Sequence, residues 1–388
     1  MRFHPTCGHV RYIRIVLKLG TKIGRYAARN RLFGNTRFHG MNSVLFPEIP
    51  TRAIPRLASV ILTVRNDAEG CSVTLQSLLA QTRPPYEIVV VDGGTDEDTR
   101  SLIREFAASD SRIRHVPAPG CNIARGRNLA TALALGEIVV STDAGCKLEP
   151  NWLEKLLRPF DVDPSLEFVG GGYRIAPRSL LEQVAGLSTM RGQLDAIDPQ
   201  SFNASGRSMA YTKEMWKRIG GWPEWIFFSE DTLFGHKLRA SSIKRTIVPE
   251  AVAHWRPRKS LRLIARQFFW YGTGRGHTQI GAKDFAYNLR NIAIVILLAA
   301  LSAVHGVALP ALCLAVAYFY GWTFHGRAIR ISRHAKRRAA YPLCFVVMWT
   351  VLASNTAGYL VGSWQRFRDR ERFDRRLAEY LGRRVPIG

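Results

Sequence analysis

Hydrophobic and polar residues follow two alternating patterns between residues 57 and 143 of the chain. Short runs of β-branched and aliphatic residues are typical of buried strands, and the segments between them have apolar residues at helical spacing. The predicted strands are Leu57–Val64, Glu87–Val91, Arg112–Val116 and Ile138–Val140, and the predicted helices are Ser72–Gln81, Thr99–Ala108 and Asn122–Ala134. Because strands that alternate with helices form parallel sheets with right-handed crossovers, the pattern predicts an α/β fold.

Two aspartates follow predicted strands at the edge where such sheets bind ligands. Asp92 lies in VVVDGGTDED, and Asp143 lies in VVSTDAG. A carboxylate at the carboxyl end of a parallel strand can hold a divalent cation together with a diphosphate. An ordinary strand-to-turn aspartate accounts for Asp143 equally well on this stretch alone. With no G-x-G-x-x-G after the first strand and no G-x-x-x-x-G-K-[ST] anywhere, neither a dinucleotide fingerprint nor a P-loop is indicated.

Three longer segments carry a resemblance to a known family. VILTVRND, SLLAQTRPPYEIVVVDGGTDEDT and ARGRNLATALALGEIVVSTDAG occur in this order. Their order and spacing resemble the nucleotide-sugar half of family-2 glycosyltransferases with the GT-A fold, over residues 57–280. The resemblance implies a mostly parallel central sheet with helices on both faces, and transfer of a sugar from a nucleoside-diphosphate sugar.

The same resemblance implies roles for single positions. Asp92 matches the aspartate that hydrogen-bonds the nucleotide base, and Asp143 matches the first aspartate of the family's D-x-D metal motif. Gly145 stands where the second aspartate is usual, so Mg²⁺ or Mn²⁺ would depend on one carboxylate, phosphate oxygens and water. The other implied nucleotide-sugar-binding positions are Thr63, Arg65, Arg127 and Asn128. The Arg127 guanidinium can pair with the diphosphate or with Asp143.

A second acidic motif follows the sequence GGWP at residues 220–223. Glu230 and Asp231 match the family's ED motif, whose aspartate is the general base that deprotonates the attacking hydroxyl. Acids at the start of a helix are also common caps that interact well with the helix dipole. The resemblance of the preceding residues favours catalysis by Asp231, with Glu230 holding the acceptor.

Two further positions match the family less closely. His254, in VPEAVAHWRPR, matches a histidine that some relatives place near the metal, although a lone histidine is as often structural. The segment RQFFWYGTGR resembles an RQxxRYGxGR segment that closes the donor site in membrane-anchored relatives. Trp270 stands where arginine is usual in it. Trp270 cannot make the phosphate contact of that arginine. It can still stack on a sugar or pack at a membrane surface.

Long apolar runs occupy the last third of the chain. Ile292–Val304 and Val307–Trp322 are predicted as two short membrane spans or as one long tilted helix. Tyr341–Trp364 is a third, moderately apolar segment. Its flanks, Arg327–Arg338 and Arg366–Arg384, are both basic, and the positive-inside rule places both on the cytoplasmic side. A single membrane crossing by this segment would place the two flanks on opposite sides and contradict that rule. The segment is therefore re-entrant or interfacial, or it violates the rule.

The chain is strongly basic, with a formal net charge of +25. Such a charge favours nucleic acid or an anionic membrane as a partner. The basic residues cluster at the two ends rather than among surface aromatics of one domain, which disfavours nucleic acid. Residues 1–47 contain no Asp or Glu. They are compatible with a basic helix on anionic lipid, with a transit peptide, or with an extension before a true start at Met41. Six scattered cysteines without C-x-x-C indicate neither a zinc site nor a disulfide framework.

The predicted organisation has four parts: a basic extension (1–56), a GT-A domain (57–285), two or three membrane segments (286–365) and a basic cytoplasmic tail (366–388). The expected activity is inverting, metal-assisted transfer from a UDP-linked sugar to a hydroxyl of a lipid-linked saccharide. The overall organisation resembles that of succinoglycan-type transferases of exopolysaccharide synthesis, and the expected location is the cytoplasmic face of a bacterial inner membrane. A polyprenyl-phosphate acceptor is the main alternative, and membrane-tethered nucleic-acid binding is a distant one.

Overall fold

The computed structural model describes residues 56–190 and 205–382. The predicted N-terminal basic helix lies outside these residues.

The strands of the described residues form one mixed sheet. They are β1 (Ala58–Val64), β2 (Glu87–Asp92), β3 (Ile113–Pro117), β4 (Ile138–Asp143), β5 (Cys146–Leu148), β6 (Phe168–Ile175), β7 (Met209–Thr212) and β8 (Arg245–Trp255). Their order in the sheet is β3-β2-β1-β4-β7-β6-β8-β5. Strands β1 to β4 are parallel, which confirms the predicted α/β half. Beyond them β7 runs antiparallel to both β4 and β6, so the sheet is parallel only in part.

The helices divide into those that lie between the strands or directly after the last strand in sequence, and those nearer the C-terminus. The first group comprises α1 (Ala68–Leu79), α2 (Glu97–Ser109), α3 (Ile123–Leu133), α4 (Trp152–Val162), α5 (Leu180–Thr189), α6 (Lys213–Arg218), α7 (Glu230–Ala240) and α8 (Leu261–Thr278). The second comprises α9 (Ala282–Val304), α10 (Leu309–Val316), α11 (Thr323–Ala335), α12 (Ala340–Arg368) and α13 (Arg370–Leu381). A 3₁₀ turn (Gly306–Ala308) precedes α10 and a π-helical segment (Ala317–Trp322) follows it.

Alternate residues of the central strands belong to different cores. Val60 and Leu62 pack in one cluster with α1, α2 and α4, whereas Ile61 packs in another with α3, α6 and α7. A strand buried on both faces is apolar along its whole length, which is why the sequence of β1 shows no alternation. Helices therefore cover both faces of the sheet, as predicted.

A third apolar cluster joins the C-terminal helices to the α/β body. Val184 of α5 and Ile264 of α8 pack with Ala328 of α11 and Cys344 of α12. Within residues 56–190 and 205–382, two helices are long and apolar enough to cross a membrane by length and composition alone, Ala282–Val304 and Ala340–Arg368. The predicted span Val307–Trp322 is instead broken into the 3₁₀, α10 and π-helical pieces.

Candidate active site

A cavity of about 1550 Å³ opens where β1, β2 and β4 end. It brings together seven of the residues predicted from the sequence, and three others lie outside its lining. The seven are Thr63, Arg65, Arg127, Asp143, Glu230, Asp231 and Trp270. The three are Asp92, Asn128 and His254.

Arg127 connects the two acidic motifs. Its guanidinium donates one hydrogen bond to Asp143 Oδ1 (2.7 Å) and another to Glu230 Oε1 (3.0 Å). The side chain is buried and its charge lies over the ring of Trp222, 4.6 Å from the centroid. Gly206 makes room for it, because a Cβ there would lie 2.1 Å from Arg127 Nη2. The predicted pairing of Arg127 with Asp143 is thus present, and a second carboxylate shares it.

The ED motif is placed by an unusual turn. Ser229 has a φ of +65° and directly precedes α7, so Glu230 and Asp231 occupy the first turn of that helix. The backbone of α8 passes close by, since a Cβ on Gly274 would lie 2.2 Å from the carbonyl oxygen of Phe228. Asp231 Oδ1 accepts a hydrogen bond from the Thr232 N–H (2.7 Å). The carboxylate of Asp231 is therefore held at the cavity wall by its own helix.

The charges in the site shift two carboxyl groups in opposite directions. Burial alone would raise the pKa of Asp143, but the charges of Arg127 and Arg207 and the hydrogen bond from Arg127 bring the pKa below its usual value. Burial and the neighbouring charge of Asp231 raise the pKa of Glu230 to about 7, although Arg127 opposes the shift. Asp143 is thus a carboxylate at neutral pH, while Glu230 titrates near neutrality.

Arg207 is a site residue that the sequence interpretation missed. Its Nε lies 4.0 Å from Asp143 Oδ2, and its guanidinium lies over Trp255, 4.7 Å from the ring centroid. Nη1 donates to Ser205 Oγ (3.0 Å), whereas the buried Nε has no hydrogen-bond partner among the described residues. Its position follows from the antiparallel pairing of β4 with β7, in which Ser141 is opposite Met209. The local sequence around Arg207 does not encode this pairing between distant segments.

Asn128 has a different place from the one predicted. Its Nδ2 donates to the carbonyl oxygen of Trp222 (2.9 Å) and to Glu224 Oε1 (2.8 Å). Its Oδ1 accepts from Trp216 Nε1 (3.0 Å) and from the Trp222 N–H (2.8 Å). These four bonds use the whole amide, so Asn128 anchors the turn before the ED motif and does not face the cavity.

Asp92 lies behind the cavity wall. It is buried, and its Oδ1 accepts from the Gly94 N–H (2.9 Å) while Gly93 lines the cavity. Oδ2 lies 3.6 Å from His115 Nε2. Asp92 therefore shapes the turn that faces the cavity, and its predicted contact with a base stays a prediction.

His254 does not join Asp143. Its Nε2 lies 3.3 Å from Glu149 Oε1, outside the cavity lining. In residues 56–190 and 205–382, no group of three or more His, Cys, Asp and Glu side chains is arranged to hold a metal. Asp143 alone fits an ion that takes most of its ligands from phosphates and water, as Mg²⁺ does. The predicted metal role of His254 gains no support from this placement.

Gly145 has a conformational reason to be glycine. Its φ is +87°, although a Cβ there would meet no atom within 4 Å. An aspartate at this position would have space but a strained backbone.

An aromatic and basic wall completes the cavity. Trp270 of α8 stacks on Phe228 with centroids 5.0 Å apart, and Tyr271 Oη accepts from Gln267 Nε2 (2.8 Å). Several arginines from α7, α8, α11 and the loop before α8 also line the cavity: Arg239, Arg258, Arg266, Arg275, Arg327 and Arg330. The cavity is therefore suited to an anionic ligand with an apolar or sugar-like face.

The chain is similar in sequence to several known proteins. Residues 59–219 match the family described as Glycosyl transferase family 2. The chain is 25% identical over 162 residues to a glucosyl-dolichyl phosphate glucuronosyltransferase of Haloferax volcanii, covering 40% of this chain and 51% of that protein. It is 34% identical over 112 residues to a hyaluronan synthase of Streptococcus pyogenes, covering 27% of each. The chain thus spans about half the length of the first relative and about a quarter of the second.

A solved structure shares the fold. A mannosyltransferase from Pyrobaculum calidifontis in complex with GDP-Man and Mn²⁺ superposes with a TM-score of 0.51 at 21% identity, covering 80% of this chain and 88% of that one. The GT-A fold predicted from the sequence is confirmed by this likeness.

Proposed function

We propose that this chain, whose residues 59–219 match the family described as Glycosyl transferase family 2, is an inverting glycosyltransferase. The donor is a nucleoside-diphosphate sugar, and the acceptor is a hydroxyl group of a lipid-linked saccharide. The observation that carries the proposal is the double hydrogen bond of Arg127, which joins the predicted donor-side Asp143 to the acceptor-side Glu230 in one cavity.

Asp231 is the general base in this reaction. As the acceptor oxygen attacks the anomeric carbon, its proton passes to Asp231 and the bond from that carbon to the nucleoside diphosphate breaks. Attack on the face opposite the leaving group inverts the anomeric configuration. The leaving diphosphate gains negative charge, which Arg207 and Arg127 stabilise.

A divalent cation fits the site only when the bound donor supplies further oxygen ligands. Asp143 would hold Mg²⁺ or Mn²⁺ together with the diphosphate oxygens, and the ion would stabilise the charge of the leaving group. The presence of Mn²⁺ beside GDP-Man in the mannosyltransferase of similar fold supports this proposal.

The acceptor and the location rest on other observations. The name of the Haloferax volcanii relative contains a lipid-linked sugar, glucosyl-dolichyl phosphate, which supports a lipid-linked acceptor. Two apolar helices and strongly basic flanks support a place at a membrane, with the catalytic domain on the cytoplasmic face of a bacterial inner membrane. Exopolysaccharide or envelope glycan synthesis and a UDP-linked donor complete the proposal.

A polyprenyl-phosphate acceptor is the second candidate, because Arg266, Arg327 and Arg330 line the same cavity. A phosphate nucleophile is already an anion and needs no general base. Asp231 therefore separates the two candidates.

The experiment is isothermal titration of the purified full chain in detergent with UDP-, GDP- and dTDP-sugars, each with and without Mn²⁺. We expect binding of one nucleotide class, strengthened by Mn²⁺. The absence of binding by every nucleotide sugar would contradict the proposal.

A further inference from the structure

The long helix α12 has two different faces. One face packs on the α/β body, and the other exposes an apolar stripe of residues three or four positions apart, or multiples of that spacing. Val346, Trp349, Leu360, Trp364 and Phe367 of this stripe are between 40% and 78% exposed. An exposed apolar face of this length is uncommon on a protein surrounded by water.

The packed face of α12 is in backbone contact with α8. A Cβ on Gly358 would lie 1.9 Å from the carbonyl oxygen of Phe269, and one on Gly362 would lie 2.2 Å from that of Thr273. In the other direction, a Cβ on Gly272 would lie 2.1 Å from the carbonyl oxygen of Asn355. The two helices therefore touch without intervening side chains, so lipid cannot enter between them.

Helix α8 itself faces a polar space. Its side chains Gln267, Tyr271 and Arg275 line the cavity that holds Asp143 and Asp231. Because α12 packs directly on α8, its packed face belongs to the same body as this polar, charged cavity.

Both ends of α12 are attached to that same body. Near its start, Cys344 Sγ lies 3.6 Å from Ser188 Oγ of α5. Near its end, Arg366 Nη1 donates to the carbonyl oxygen of His277 (2.7 Å). Beyond it, Tyr380 of α13 donates from its hydroxyl to the carbonyl oxygen of Gly221 (2.9 Å). A helix that crossed a bilayer would carry one of these ends to the opposite side.

We propose that α12 lies in the plane of an anionic phospholipid surface and does not cross it, with its apolar stripe inserted among the lipid chains. The basic residues on both sides of the helix then face lipid headgroups on the side of the catalytic domain. They are Arg333, Arg337, Arg338, Arg368, Arg370 and Arg372. This placement satisfies the positive-inside rule, which one crossing between two basic flanks violates.

The stripe also continues the apolar surface of a neighbouring helix. Phe285 of α9 stacks on Tyr359 of α12 with centroids 3.9 Å apart, and farther along α9 Ile296 and Leu297 are 63% and 59% exposed. One membrane surface can thus receive both helices. The cavity that α8 lines then opens beside the membrane, within reach of a lipid-linked molecule.

The test is a depth measurement on the full chain in vesicles of phosphatidylcholine and phosphatidylglycerol. Single cysteines replace Val346, Leu360 and Phe367 in turn, in a background without Cys7, Cys121 and Cys313, and each carries a nitroxide. Oxygen and a water-soluble nickel complex compete to relax the label. A phospholipid with a nitroxide near the end of its acyl chain is the deep reference, and Glu105→Cys on α2 is the solvent reference.

An in-plane helix gives the three stripe labels the same shallow depth, between the two references. A crossing helix would give unequal depths, with Phe367→Cys about 10 Å farther from the bilayer centre than Leu360→Cys because seven helical residues span about 10 Å, and this result would overturn the proposal. Solvent-like values at all three positions would overturn it as well, because the stripe would then not contact lipid.

A membrane-impermeant maleimide gives a second readout. Arg338→Cys and Arg372→Cys should react from the same side as Glu105→Cys, and reaction from opposite sides would show a crossing. Neither readout depends on the sugar transfer, so a failure of the proposed activity leaves this test intact.

Discussion

Arg127 and Glu230 are 103 positions apart in the chain, yet their side chains are joined by a 3.0 Å hydrogen bond inside the cavity. The other half of the Arg127 guanidinium holds Asp143. One buried cation thus fixes the distance between the carboxylate proposed for the donor side and the motif proposed for the acceptor side. Because a buried charge left without its partner costs several kcal/mol, about 3–5, this link is also structural.

Arg207 should be the cation that meets the donor diphosphate. Both terminal nitrogens of Arg127 donate hydrogen bonds to carboxylates, whereas Arg207 Nη1 donates to a hydroxyl, Ser205 Oγ. We expect Arg207→Gln to weaken binding of a nucleoside diphosphate by about 10- to 100-fold, the loss of one hydrogen bond to a charged group. Binding of the matching nucleoside monophosphate should change much less, and Arg207→Lys should restore part of the loss. Equal weakening of both nucleotides would contradict a diphosphate role, as would no change in either.

Glu230 should make stability depend on pH. Its pKa is raised to about 7 in the folded protein from an ordinary value of 4.5. Between these values the unfolded chain binds fewer protons at this residue than the folded chain, so the free energy of unfolding falls as pH rises. Glu230→Gln should remove this slope. The free energy of unfolding of the variant, taken relative to that of the wild type, should therefore be about 1–3 kcal/mol higher at pH 8 than at pH 4.5. Denaturant titration of both proteins at the two pH values measures it, and a slope that persists in Glu230→Gln would assign it to another group.

Asp143 should couple donor binding to the metal. Asp143→Ala should abolish the gain in nucleoside-diphosphate affinity that Mn²⁺ gives the wild type, since Asp143 is the cavity carboxylate that matches the family's metal motif. An undiminished Mn²⁺ effect in the variant would place the ion elsewhere.

Gly145→Asp provides a companion test. The sequence motif alone predicts that this change is tolerated because it restores the usual pair of aspartates. The φ of +87° at Gly145 changes that expectation. We expect a loss of about 1–2 kcal/mol of stability, whether or not metal affinity rises. Thermal unfolding with and without Mn²⁺ separates the two effects, and an unchanged melting temperature without metal would show that the turn absorbs the new side chain.

The sequence predicts those parts of the structure that depend on local pattern. The parallel strands β1 to β4 and their helices were predictable because each strand is an unbroken apolar run and each helix has its own periodicity. Asp143, Arg127 and Asp231 were found through the family resemblance. The position of Arg207 depends on β7 pairing antiparallel with β4, a contact between distant segments that no local pattern encodes.

Two other features lay beyond the sequence for physical reasons. Arg127 and Asn128 are consecutive on α3, so helix geometry turns one side chain into the cavity and the other away from it. In α12, the sequence does not distinguish an apolar residue that contacts lipid from one that packs against protein. The glycine contacts with α8 and the exposure of the apolar stripe distinguish the packed face from the exposed one.

The most direct test of the proposed function is turnover by Asp231→Asn. The substitution keeps the size of the side chain and its hydrogen bond from the Thr232 N–H but removes the base. For a hydroxyl acceptor, we expect turnover of the purified variant to fall by about 10²–10⁴-fold while donor affinity stays near the wild-type value. Near wild-type turnover with intact donor binding would remove Asp231 from the mechanism, and the hydroxyl acceptor with it.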